Sequence, residues 1–389
     1  MTRAFDVVVV GGGLIGAWCA LFLARRGRRV IVLEKGVVGA QSSGTNFGSL
    51  RLQGRFPAQY PLSLRSQDLW EQLPALIGDA CEFERSGHFY CAAGDEEVAK
   101  IEGYAAVSRT YGLDVELLEG AALHRRFPWL SPQTRFASYS ARDANANPRL
   151  VTPAVARAAK ALGVEVAQGC RVRALSYDNG TFRTQTETHG TFESGHVVNA
   201  AGAWAVELAE MFGETAPLFA AGPPQFVTEP LPYFIHPTVQ RADGSVIARQ
   251  IPRGNVIFAG YPRTAADAVA NRAPVPLHKI LRGMACLGET VPALVNAHVI
   301  RVWSGIEGYI PDMIPVIGES RTRPGLVHAF GFCGHGFQIG PGVGLCVSEM
   351  IVDGTTPTPL APFSIDRFAG GPVVSDKFRK EFDAPALPH

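Results

Sequence analysis

The architecture of this chain is set by Phe5-Asp-Val-Val-Val-Val-Gly-Gly-Gly-Leu-Ile-Gly16 and by Val30-Ile-Val-Leu-Glu34, which follows it closely. Asp6–Val10 and Val30–Leu33 are dominated by β-branched residues, which is typical of strands that are buried on both faces. Between them, Leu14–Arg26 contains no Pro and has the composition of a helix. The sequence therefore begins with a predicted βαβ unit.

A glycine fingerprint lies at the first turn of this unit, in the pattern G-x-G-x-x-G. Its members are Gly11, Gly13 and Gly16. The first glycine permits a tight turn, the second lets the backbone approach a pyrophosphate, and the third lets the helix pack on the strand. The helix N-terminus, at Leu14 and Ile15, would then hold the pyrophosphate. Glu34 follows the second strand, where a carboxylate can accept hydrogen bonds from ribose hydroxyls. This stretch predicts a bound dinucleotide and leaves FAD and NAD both open.

The bulk composition describes an ordinary soluble globular protein. The chain has 389 residues, of which 47% are hydrophobic and 18% charged, and its formal net charge is +1. This length suffices for two domains. A balanced charge gives no indication of a nucleic-acid or acidic-polymer partner.

Val7–Ala24 is apolar enough to resemble a membrane span or a signal sequence. Its consecutive glycines and the absence of a small-residue cleavage site argue against both readings. The 7 cysteines are scattered, with no C-x-x-C pair and no zinc-type spacing. We therefore expect free thiols, no structural metal and a cytoplasmic location.

Periodicity and turn residues predict the remaining elements. Helices are predicted at Pro61–Leu73, Asp95–Tyr111, Gly120–Arg126 and Thr152–Gly163, near 276–288, and from about Pro341 to Val352. Strands are predicted near 164–168, 171–176, 181–187, 196–199, 225–229, 233–236, 245–251, 255–259, 314–318 and 326–330. Glu82–Ala92 is predicted to be a short hairpin or edge strand. The tail from Gly370, with Lys377, Arg379 and Lys380, is predicted to be loose.

Residues 217–304 are rich in proline between their short strands, which indicates a predominantly antiparallel sheet. We therefore predict an α/β protein with a discontinuous Rossmann-like dinucleotide-binding domain and an inserted β-sheet substrate domain. The first domain would comprise 1–80, 140–216 and 312–369. The second would comprise 81–139 and 217–311, and 370–389 would form the tail.

Three more stretches complete a pattern with the N-terminal fingerprint. They are Gly39-Ala-Gln-Ser-Ser-Gly-Thr-Asn46-Phe-Gly48-Ser-Leu-Arg51, Val197-Val-Asn-Ala-Ala-Gly202-Ala-Trp204, and Gly331-Phe-Cys-Gly334-His-Gly336-Phe-Gln-Ile-Gly-Pro-Gly342 followed by Leu360-Ala-Pro-Phe-Ser-Ile-Asp-Arg367-Phe. Together the four resemble FAD-dependent oxidoreductases of the D-amino-acid oxidase superfamily. The glycine oxidase and sarcosine oxidase branch is the most similar, together with the flavin subunits of opine and amino-acid dehydrogenases. The resemblance spans nearly the whole chain and selects FAD over NAD.

The resemblance implies a set of cofactor-binding residues. These are Gly11, Gly13, Leu14, Ile15, Gly16, Glu34, Lys35, Gln41, Ser42, Ser43, Thr45, Asn46, Phe47, Gly48, Val172, Ala200, Gly202, Trp204, Gly305, Gly334, His335, Gly336, Phe337 and Gln338. Small residues in these stretches let a flavin approach the main chain. The helix after Gly336 would direct its N-terminus at the flavin pyrimidine, where negative charge develops on reduction. His335 is an alternative candidate for a base.

The sequence departs from the family pattern at the substrate end. Glycine oxidases carry an arginine that grips the substrate carboxylate where this chain has Glu307, and a carboxylate cannot hold a carboxylate. Sarcosine oxidases use a cysteine near the position of Gly305 for a covalent flavin link, so we expect non-covalent FAD. They also carry a lysine where this chain has Gln338.

Another cation must therefore anchor an anionic substrate. Arg51 and Arg55 follow the flavin loop directly, and a planar guanidinium suits a carboxylate. The alternative for either residue is a structural ion pair. Weaker candidates are Arg249, Arg263 and Arg301. Glu307 could instead face an amine or a second polar group. Tyr261, Tyr309 and His88 are candidates for the pocket wall.

These residues predict oxidation of the C–N bond of an amino acid or an N-substituted glycine. Hydride would pass to flavin N5, the imine would be hydrolysed, and O2 would be reduced to H2O2. The missing arginine favours a secondary amine larger than glycine, such as an N-carboxymethyl amino acid or an opine. One alternative is an FAD subunit that passes electrons to a partner or a quinone, and another is a non-catalytic flavin module. A homo-oligomer is compatible with the sequence.

Overall fold

The computed structural model describes residues 2–371 and 373–383 of the chain. The helices are α1 (Leu14–Arg25), α2 (Ser42–Thr45), α3 (Tyr60–Glu71), α4 (Leu73–Ile77), α5 (Asp95–Thr110), α6 (Gly120–Arg126), α7 (Pro148–Ala161), α8 (Ala205–Glu210), α9 (Leu277–Thr290), α10 (Gly336–Asp353) and α11 (Phe378–Glu381). The strands are β1 (Thr2–Val10), β2 (Val30–Leu33), β3 (Ser49–Leu50), β4 (His88–Ala92), β5 (Glu116–Glu119), β6 (Phe136–Ser140), β7 (Ala144–Asn145), β8 (Glu165–Ala167), β9 (Val172–Asp178), β10 (Thr181–Thr186), β11 (Thr191–Asn199), β12 (Phe219–Gly222), β13 (Gln225–Pro230), β14 (Thr238–Arg241), β15 (Ile247–Gln250), β16 (Asn255–Ala259), β17 (Thr264–Ala265), β18 (Val299–Trp303), β19 (Glu307–Tyr309), β20 (Val316–Glu319) and β21 (Leu326–Phe330).

The first sheet is built on the N-terminal βαβ unit. Its strand order is β20-β21-β11-β1-β2-β8, and the pairs are parallel except for β20 with β21. The hairpin of β9 and β10 joins it through an antiparallel pairing of β10 with β11. The side chains from Val7 to Val10 and from Val30 to Leu33 are buried, as the β-branched runs predict. This arrangement confirms the predicted α/β class.

Two helices cross close together on one face of this sheet. Trp18 of α1 is fully buried and stacks on Phe22 with ring centroids 5.5 Å apart. A Cβ atom placed on Gly344 of α10 would lie 2.6 Å from the Trp18 Cβ, so this glycine permits the close crossing. Burial of an aromatic side chain of this kind contributes about 1.5–3 kcal/mol. The crossing fixes the N-termini of α1 and α10 relative to each other.

The second large sheet has the order β18-β13-β16-β15-β14-β4-β6-β5. Its neighbouring pairs are antiparallel except for β14 with β4, which confirms the predicted predominantly antiparallel sheet. A small sheet of β17, β12 and β19 and the pair β3 with β7 lie apart from it. The assignment of the chain to two domains with the stated boundaries stays a prediction.

Two predicted helix starts are wrong for the same reason. The helix predicted from Thr152 begins at Pro148, after Asn147, whose side chain accepts from the Arg149 N–H. The helix predicted from Pro341 begins at Gly336. In each case we took a proline as the first helical position, although Pro153 and Pro341 lie inside the helix. The missing N–H costs one intrahelical bond, which buried packing offsets here.

Several strand predictions also need correction. The strand predicted at 233–236 is absent, and β14 forms a few residues later at Thr238–Arg241. Glu82–Ala92 is neither a hairpin nor an edge, because β4 lies between β14 and β6 inside the sheet. The helix predicted to close at Pro74 ends at Glu71, and α4 begins at Leu73 with Pro74 in its first turn. Proline marks a boundary in the sequence without saying on which side of it an element lies.

The prediction of a loose tail is wrong for residues 373–383, which we call the C-terminal segment. Phe378 and Phe382 are buried in a cluster with Tyr309 and Phe330. The segment also pairs with Arg263 through its backbone: the Arg263 N–H donates to the Glu381 carbonyl at 2.8 Å. Sequence patterning misses this contact because the partners are more than a hundred residues apart. Residue 372 and residues 384–389 lie outside the described part of the chain.

Within residues 2–371 and 373–383, the helices are all too short or too polar to cross a membrane.

Candidate active site

A cavity of about 370 Å³ extends from the carboxyl ends of β1 and β2 to the second sheet. Gly11 and Glu34 line one end of it, and Gln240, Ile247 and Ala259 of the second sheet line the other. The carboxyl edge of parallel strands is the usual ligand site of such folds. The two sheets therefore meet around one shared cavity.

The glycine fingerprint is packed so tightly that side chains have no room. Gly11 has a φ of +107°, and a Cβ atom there would lie 2.3 Å from the Ala200 carbonyl oxygen. A Cβ atom on Gly16 would lie 1.9 Å from the Gly11 carbonyl oxygen. The turn from β1 into α1 thus requires glycine at both positions, and it brings the N-terminus of α1 to the cavity.

The loop that carries Ser42, Ser43 and Asn46 covers this helix N-terminus. The Leu14 N–H donates to Ser43 Oγ at 2.8 Å, which leaves the Ser43 hydroxyl proton free for another acceptor. Asn46 braces the loop by donating to the Ser42 and Ser43 carbonyls at 3.0 and 2.8 Å. Hydroxyl and backbone donors beside a helix N-terminus suit a phosphate.

Glu34 stands at the end of β2 with both carboxylate oxygens engaged. Oε2 accepts from the Gly12 N–H and Oε1 from the Gly36 N–H, each at 2.7 Å. Each oxygen retains a lone pair for a further donor, so a ribose diol can still be accommodated. Beside it, the Lys35 ammonium lies 2.9 Å from the centroid of the Trp204 ring, and burial lowers the pKa of Lys35 to about 8.

At the opposite end, Arg51 and Arg55 form a pair of neighbouring cations. Arg55 Nε donates to the Arg51 carbonyl at 2.8 Å, and burial followed by the neighbouring Arg51 lowers the pKa of Arg55 to about 9. Arg55 stays charged at neutral pH. Among the described residues, neither guanidinium has a carboxylate within 4.0 Å, and Arg55 Nη1 has no partner. Both residues line the cavity.

Asp143 lies buried behind these arginines. Its Oδ1 accepts from the Ser140 hydroxyl at 2.8 Å, while its Oδ2 has no partner among the residues described. Burial raises the pKa of Asp143 to about 6 against the opposing effect of Ser140 and the two arginines. The carboxyl group therefore offsets the arginine charges only incompletely.

Glu307, Tyr309 and the loop before α10 form one connected group on the cavity wall. The Gly334 N–H donates to Glu307 Oε1 at 2.8 Å, and the Tyr309 hydroxyl donates to Oε2. Burial raises the pKa of Tyr309 well above its usual range, so this hydroxyl remains a donor. Burial and then Arg55 hold the pKa of His335 well below its usual range, so its imidazole is neutral.

A third guanidinium, that of Arg263, lines the same end of the cavity. Its Nη1 donates to Glu381 Oε2 at 2.6 Å, and its carbon lies 4.4 Å from the Tyr261 ring centroid and 4.7 Å from that of Tyr309. Arg263 was one of the weaker sequence candidates. Arg263 reaches the cavity wall from the position before β17, a strand that no sequence pattern predicts.

The matching family model is that of the DAO family of FAD-dependent oxidoreductases, and it covers residues 6–350. The chain belongs to the DAO family. It is therefore an FAD-dependent oxidoreductase, and the cofactor predicted from its motifs is confirmed.

Relatives of this DAO-family chain match over nearly its full length. A glycine oxidase from Geobacillus kaustophilus is 30% identical over 95% of this chain and 99% of its own. A sarcosine oxidase subunit beta from Rhizobium meliloti is 27% identical, over 96% and 90% respectively. The crystal structure of an L-proline dehydrogenase from P. horikoshii superimposes with a TM-score of 0.87 at 27% identity, over 96% of this chain and all of that one.

The described residues fit FAD. The cradle at Gly11 and Gly16 would be filled by any Cβ atom, and Ser43 and the N-terminus of α1 offer donors for the pyrophosphate. Most of the predicted cofactor residues line the cavity: Gly11, Gly13, Leu14, Ile15, Glu34, Lys35, Gln41, Ser42, Ser43, Asn46, Phe47, Gly48, Val172, Ala200, Gly202, Trp204, Gly334, His335, Gly336 and Phe337. Their contacts with FAD stay predictions.

Four predicted cofactor residues lie outside the cavity wall and have structural roles. Gly16 lets α1 approach β1, as described above. Thr45 and Gly305 touch each other, since a Cβ atom on Gly305 would lie 1.9 Å from the Thr45 hydroxyl oxygen. The buried Gln338 amide donates to the Ser63 carbonyl at 2.9 Å and ties α10 to α3.

Several wall residues escaped the sequence analysis. At the nucleotide end these are Arg171, Arg173, Glu207, Leu208 and Met211. Trp204, Glu207, Leu208 and Met211 recur at helical spacing, a signal that could have placed them on one face of α8. The contact between the C-terminal segment and Arg263 has no comparable signal in the sequence.

Three other candidates have structural roles. Arg249 Nε donates to the Phe47 carbonyl at 3.2 Å and does not line the cavity. His88 bridges Gln53 and Gln240, each at 3.1 Å. Arg301 lies on the exposed strand β18. All five predicted catalytic residues line the substrate end: Arg51, Arg55, Tyr261, Glu307 and Tyr309.

A cysteine also lines this end, although no covalent link is expected at it. Cys333 is buried, donates to the Gly331 carbonyl at 3.1 Å and accepts from the Ile310 N–H at 3.3 Å. Burial raises the pKa of the Cys333 thiol, so it stays protonated and poorly nucleophilic.

Proposed function

We propose that this enzyme oxidises the C–N bond of an amino acid or an N-substituted glycine whose carboxylate is anchored by Arg51. The observation that carries the proposal is the pair Arg51 and Arg55. Both guanidiniums line the cavity that holds the FAD fingerprint, and neither has a carboxylate partner among the described residues. The names of the glycine oxidase and sarcosine oxidase relatives, which act on amines that carry a carboxylate, support it.

A buried, uncompensated guanidinium is costly unless a ligand pairs with it. Arg55 is only 6% exposed, so little water reaches it. A carboxylate accepts two parallel N–H bonds from a guanidinium, and hydrogen bonds to charged groups contribute about 1.5–3 kcal/mol each. Arg51 would thus supply affinity and orientation together. Arg55 would keep Arg51 in place through its bonds to the Arg51 carbonyl.

Glu307 serves the amine rather than the carboxylate in this proposal. Its oxygens already accept from the Gly334 N–H and the Tyr309 hydroxyl, which fix its position on the wall. A fixed carboxylate favours an approaching N–H group and repels a second anion. Tyr261 and Tyr309 would close the wall around the substrate, and their high pKa values keep them uncharged.

When bound, FAD would supply the hydride acceptor at N5 for the carbon next to the amine, and its reoxidation by O2 would yield H2O2. The side chains orient the amine and balance charge. His335 is neutral and buried, and its low pKa makes it a weak proton acceptor, so it adds an uncharged imidazole to the cavity wall. The N-terminus of α10 supplies positive potential at the loop of Gly334. The imine product is released to water and hydrolysed.

A second candidate differs in the electron acceptor. The structural neighbour from P. horikoshii is an L-proline dehydrogenase, and one relative is a sarcosine oxidase subunit. The first name favours a dehydrogenase, and the second favours a partner subunit. The electrons would pass to such a partner or to a quinone. Such an enzyme would reduce artificial dyes rapidly and form little peroxide.

An anaerobic titration with amines tests both candidates. The panel comprises glycine, sarcosine, proline, D-amino acids, N-carboxymethyl amino acids and opines. We expect at least one carboxylate-bearing amine to bleach the flavin band. Admission of air then restores the band rapidly in an oxidase and slowly in a dehydrogenase, with the electrons passing to O2 in both cases. A flavin that no member bleaches would contradict the proposal.

A further inference from the structure

The Arg263 guanidinium carries donors that nothing described in the structure uses. Nη1 is held by Glu381 at 2.6 Å, and Nη2 makes only a long contact of 3.4 Å with the Tyr261 hydroxyl. Nε is buried and has no partner among residues 2–371 and 373–383. Nε and Nη2 form one edge of the planar group. The spacing between these two donors matches that between the two oxygens of a carboxylate.

The orientation of this edge is fixed from three directions. Arg263 lies against the rings of Tyr261, Tyr309 and Phe382, with its carbon 4.4, 4.7 and 5.2 Å from their centroids. The backbone of Arg263 pairs with the C-terminal segment, because its N–H donates to the Glu381 carbonyl and its carbonyl accepts from Asp383. A second ion pair, from Lys279 to Asp383 at 2.8 Å, fastens the same segment. A guanidinium held this rigidly loses little entropy on binding.

This edge and the proposed Arg51 anchor belong to different segments of the chain. Arg51 and Arg55 lie on the chain after β3, beside Tyr90, whereas Arg263 lies on the chain before β17, beside Tyr309. Arg55 retains a free Nη1 and Arg263 retains Nε and Nη2. A single carboxylate that paired with Arg51 would use both of its oxygens there and would leave the Arg263 edge unpaired. Buried donors without an acceptor are costly, which favours a ligand with a second acceptor group.

We infer that the substrate carries two carboxylates, one held by Arg51 and the other by the Nε–Nη2 edge of Arg263, with the oxidised secondary amine between them. This inference rests on the proposed function for the amine chemistry. The C-terminal segment then supports the substrate site without lining the cavity, since Glu381 occupies Nη1 and leaves Nε and Nη2 as the edge without a close partner. Glu381 is a positioning residue in this account.

Two pairs of compounds test the inference, and each pair differs by one carboxylate. Iminodiacetate and sarcosine are the amine pair, compared by KM and by anaerobic flavin reduction. Thiodiacetate and methylthioacetate replace the amine by sulfur, so they report binding through the flavin spectrum without any oxidation. We expect the dicarboxylate of each pair to bind the wild-type enzyme at least tenfold more tightly than the monocarboxylate.

Arg263→Met should remove this preference. We expect the Kd of thiodiacetate and the KM of iminodiacetate to rise at least tenfold, with the monocarboxylate values changing less than threefold. Arg263→Lys keeps the charge but loses the planar edge and should lie in between. Glu381→Ala should weaken dicarboxylate binding severalfold. Arg241→Met is the control, because Arg241 is an ion-paired arginine of the second large sheet that does not line the cavity.

The outcomes separate the two proposals. Equal losses for both members of a pair in Arg263→Met would mean that Arg263 holds the single carboxylate or is only structural, and this would overturn the inference. No preference for the dicarboxylates in the wild type would overturn it as well. Sarcosine oxidation in either case leaves the proposed function intact. A selective loss of thiodiacetate binding with no amine oxidation would support the second anchor and contradict the amine chemistry.

Discussion

The two ends of the cavity are built by different means. The cofactor end is made largely from backbone groups and small residues in short motifs, such as Gly11 with Gly13 and Ser42 with Ser43. The substrate end is made from charged and aromatic side chains on segments far apart in sequence, including Arg51, Arg263 and Tyr309. The cofactor end therefore suits a ligand that does not vary, whereas the specificity of the substrate end can change through single side-chain substitutions.

The two ends also differ in the amino-acid substitutions that they tolerate. At Gly16 an added methyl group meets a backbone carbonyl, which cannot move without displacing the strand. At Arg263 the neighbours are side chains, and a substitution there leaves the main chain in place. We therefore expect changes at the cofactor end to abolish FAD binding, and changes at the substrate end to alter KM while FAD stays bound.

The largest effect is expected for Gly16→Val. Its side chain would overlap the Gly11 carbonyl, so the turn that is predicted to hold the pyrophosphate cannot form, and FAD affinity should fall by at least about 100-fold. The ratio of FAD to protein after gel filtration measures this. Gly103→Ala is the matched control, because Gly103 lies on α5 with nothing near its Cβ position. A yellow, fully loaded Gly16→Val protein would refute the fingerprint's role.

Arg51→Met should affect only the substrate end. Loss of a charge-assisted pair worth about 1.5–3 kcal/mol should raise the KM of a carboxylate substrate about 10- to 100-fold. FAD content should stay at the wild-type level. The control is Arg126→Met, which removes a surface ion pair with Glu116 outside the cavity. An unchanged KM in Arg51→Met would exclude Arg51 as the anchor.

Phe382→Ala should show that the C-terminal segment belongs to the substrate end. Phe382 packs on Tyr309 and Phe219, with centroids 4.9 and 5.1 Å away, and it backs the Arg263 guanidinium. Its loss loosens these side chains, so we expect a rise in KM of roughly tenfold with unchanged FAD content. Phe56→Ala is the control, since Phe56 is an exposed aromatic residue. Loss of FAD in Phe382→Ala would show instead that the two ends are not independent.

The smallest effect is expected from the titration of Asp143. The pKa of Asp143 is raised to about 6, so the folded protein binds this proton more tightly than the unfolded chain does. As the pH rises through 6 the carboxyl becomes an anion and competes with a ligand for Arg51 and Arg55. The Kd of methylthioacetate should therefore rise about threefold between pH 5 and 7.5, equivalent to ~0.6 kcal/mol. Asp143→Asn should abolish this rise, and an identical pH profile in both proteins would count against it.

The sequence predicts the cofactor end well because its signals are local. Gly11, Gly13 and Gly16 stand within one turn, and Glu34 follows the next strand, so spacing alone places them together. The strands and helix of the βαβ unit are confirmed for the same reason. Pro153 and Pro341 misled us because proline is tolerated beyond the first turn when packing is strong enough.

The substrate end is less predictable because it depends on long-range contacts. Arg51 and Arg55 could be proposed from their position after the flavin loop. The contact between Arg263 and Glu381 joins residues 118 positions apart, and the segment that carries Glu381 has the composition of a loose tail. His88 has the residue type of a catalytic group, yet it is hydrogen bonded to Gln53 and Gln240 within the second sheet.

The central claim is that FAD at one end of the cavity oxidises an amine whose carboxylate is held by arginine at the other end. The most direct test is stopped-flow anaerobic reduction of the flavin by sarcosine and by sarcosine ethyl ester, with the wild type and with Arg51→Met. We predict rapid bleaching by sarcosine in the wild type, and slow reduction by the ester in both proteins and by sarcosine in the variant. Equal rates for the acid and the ester in the wild type would contradict the claim.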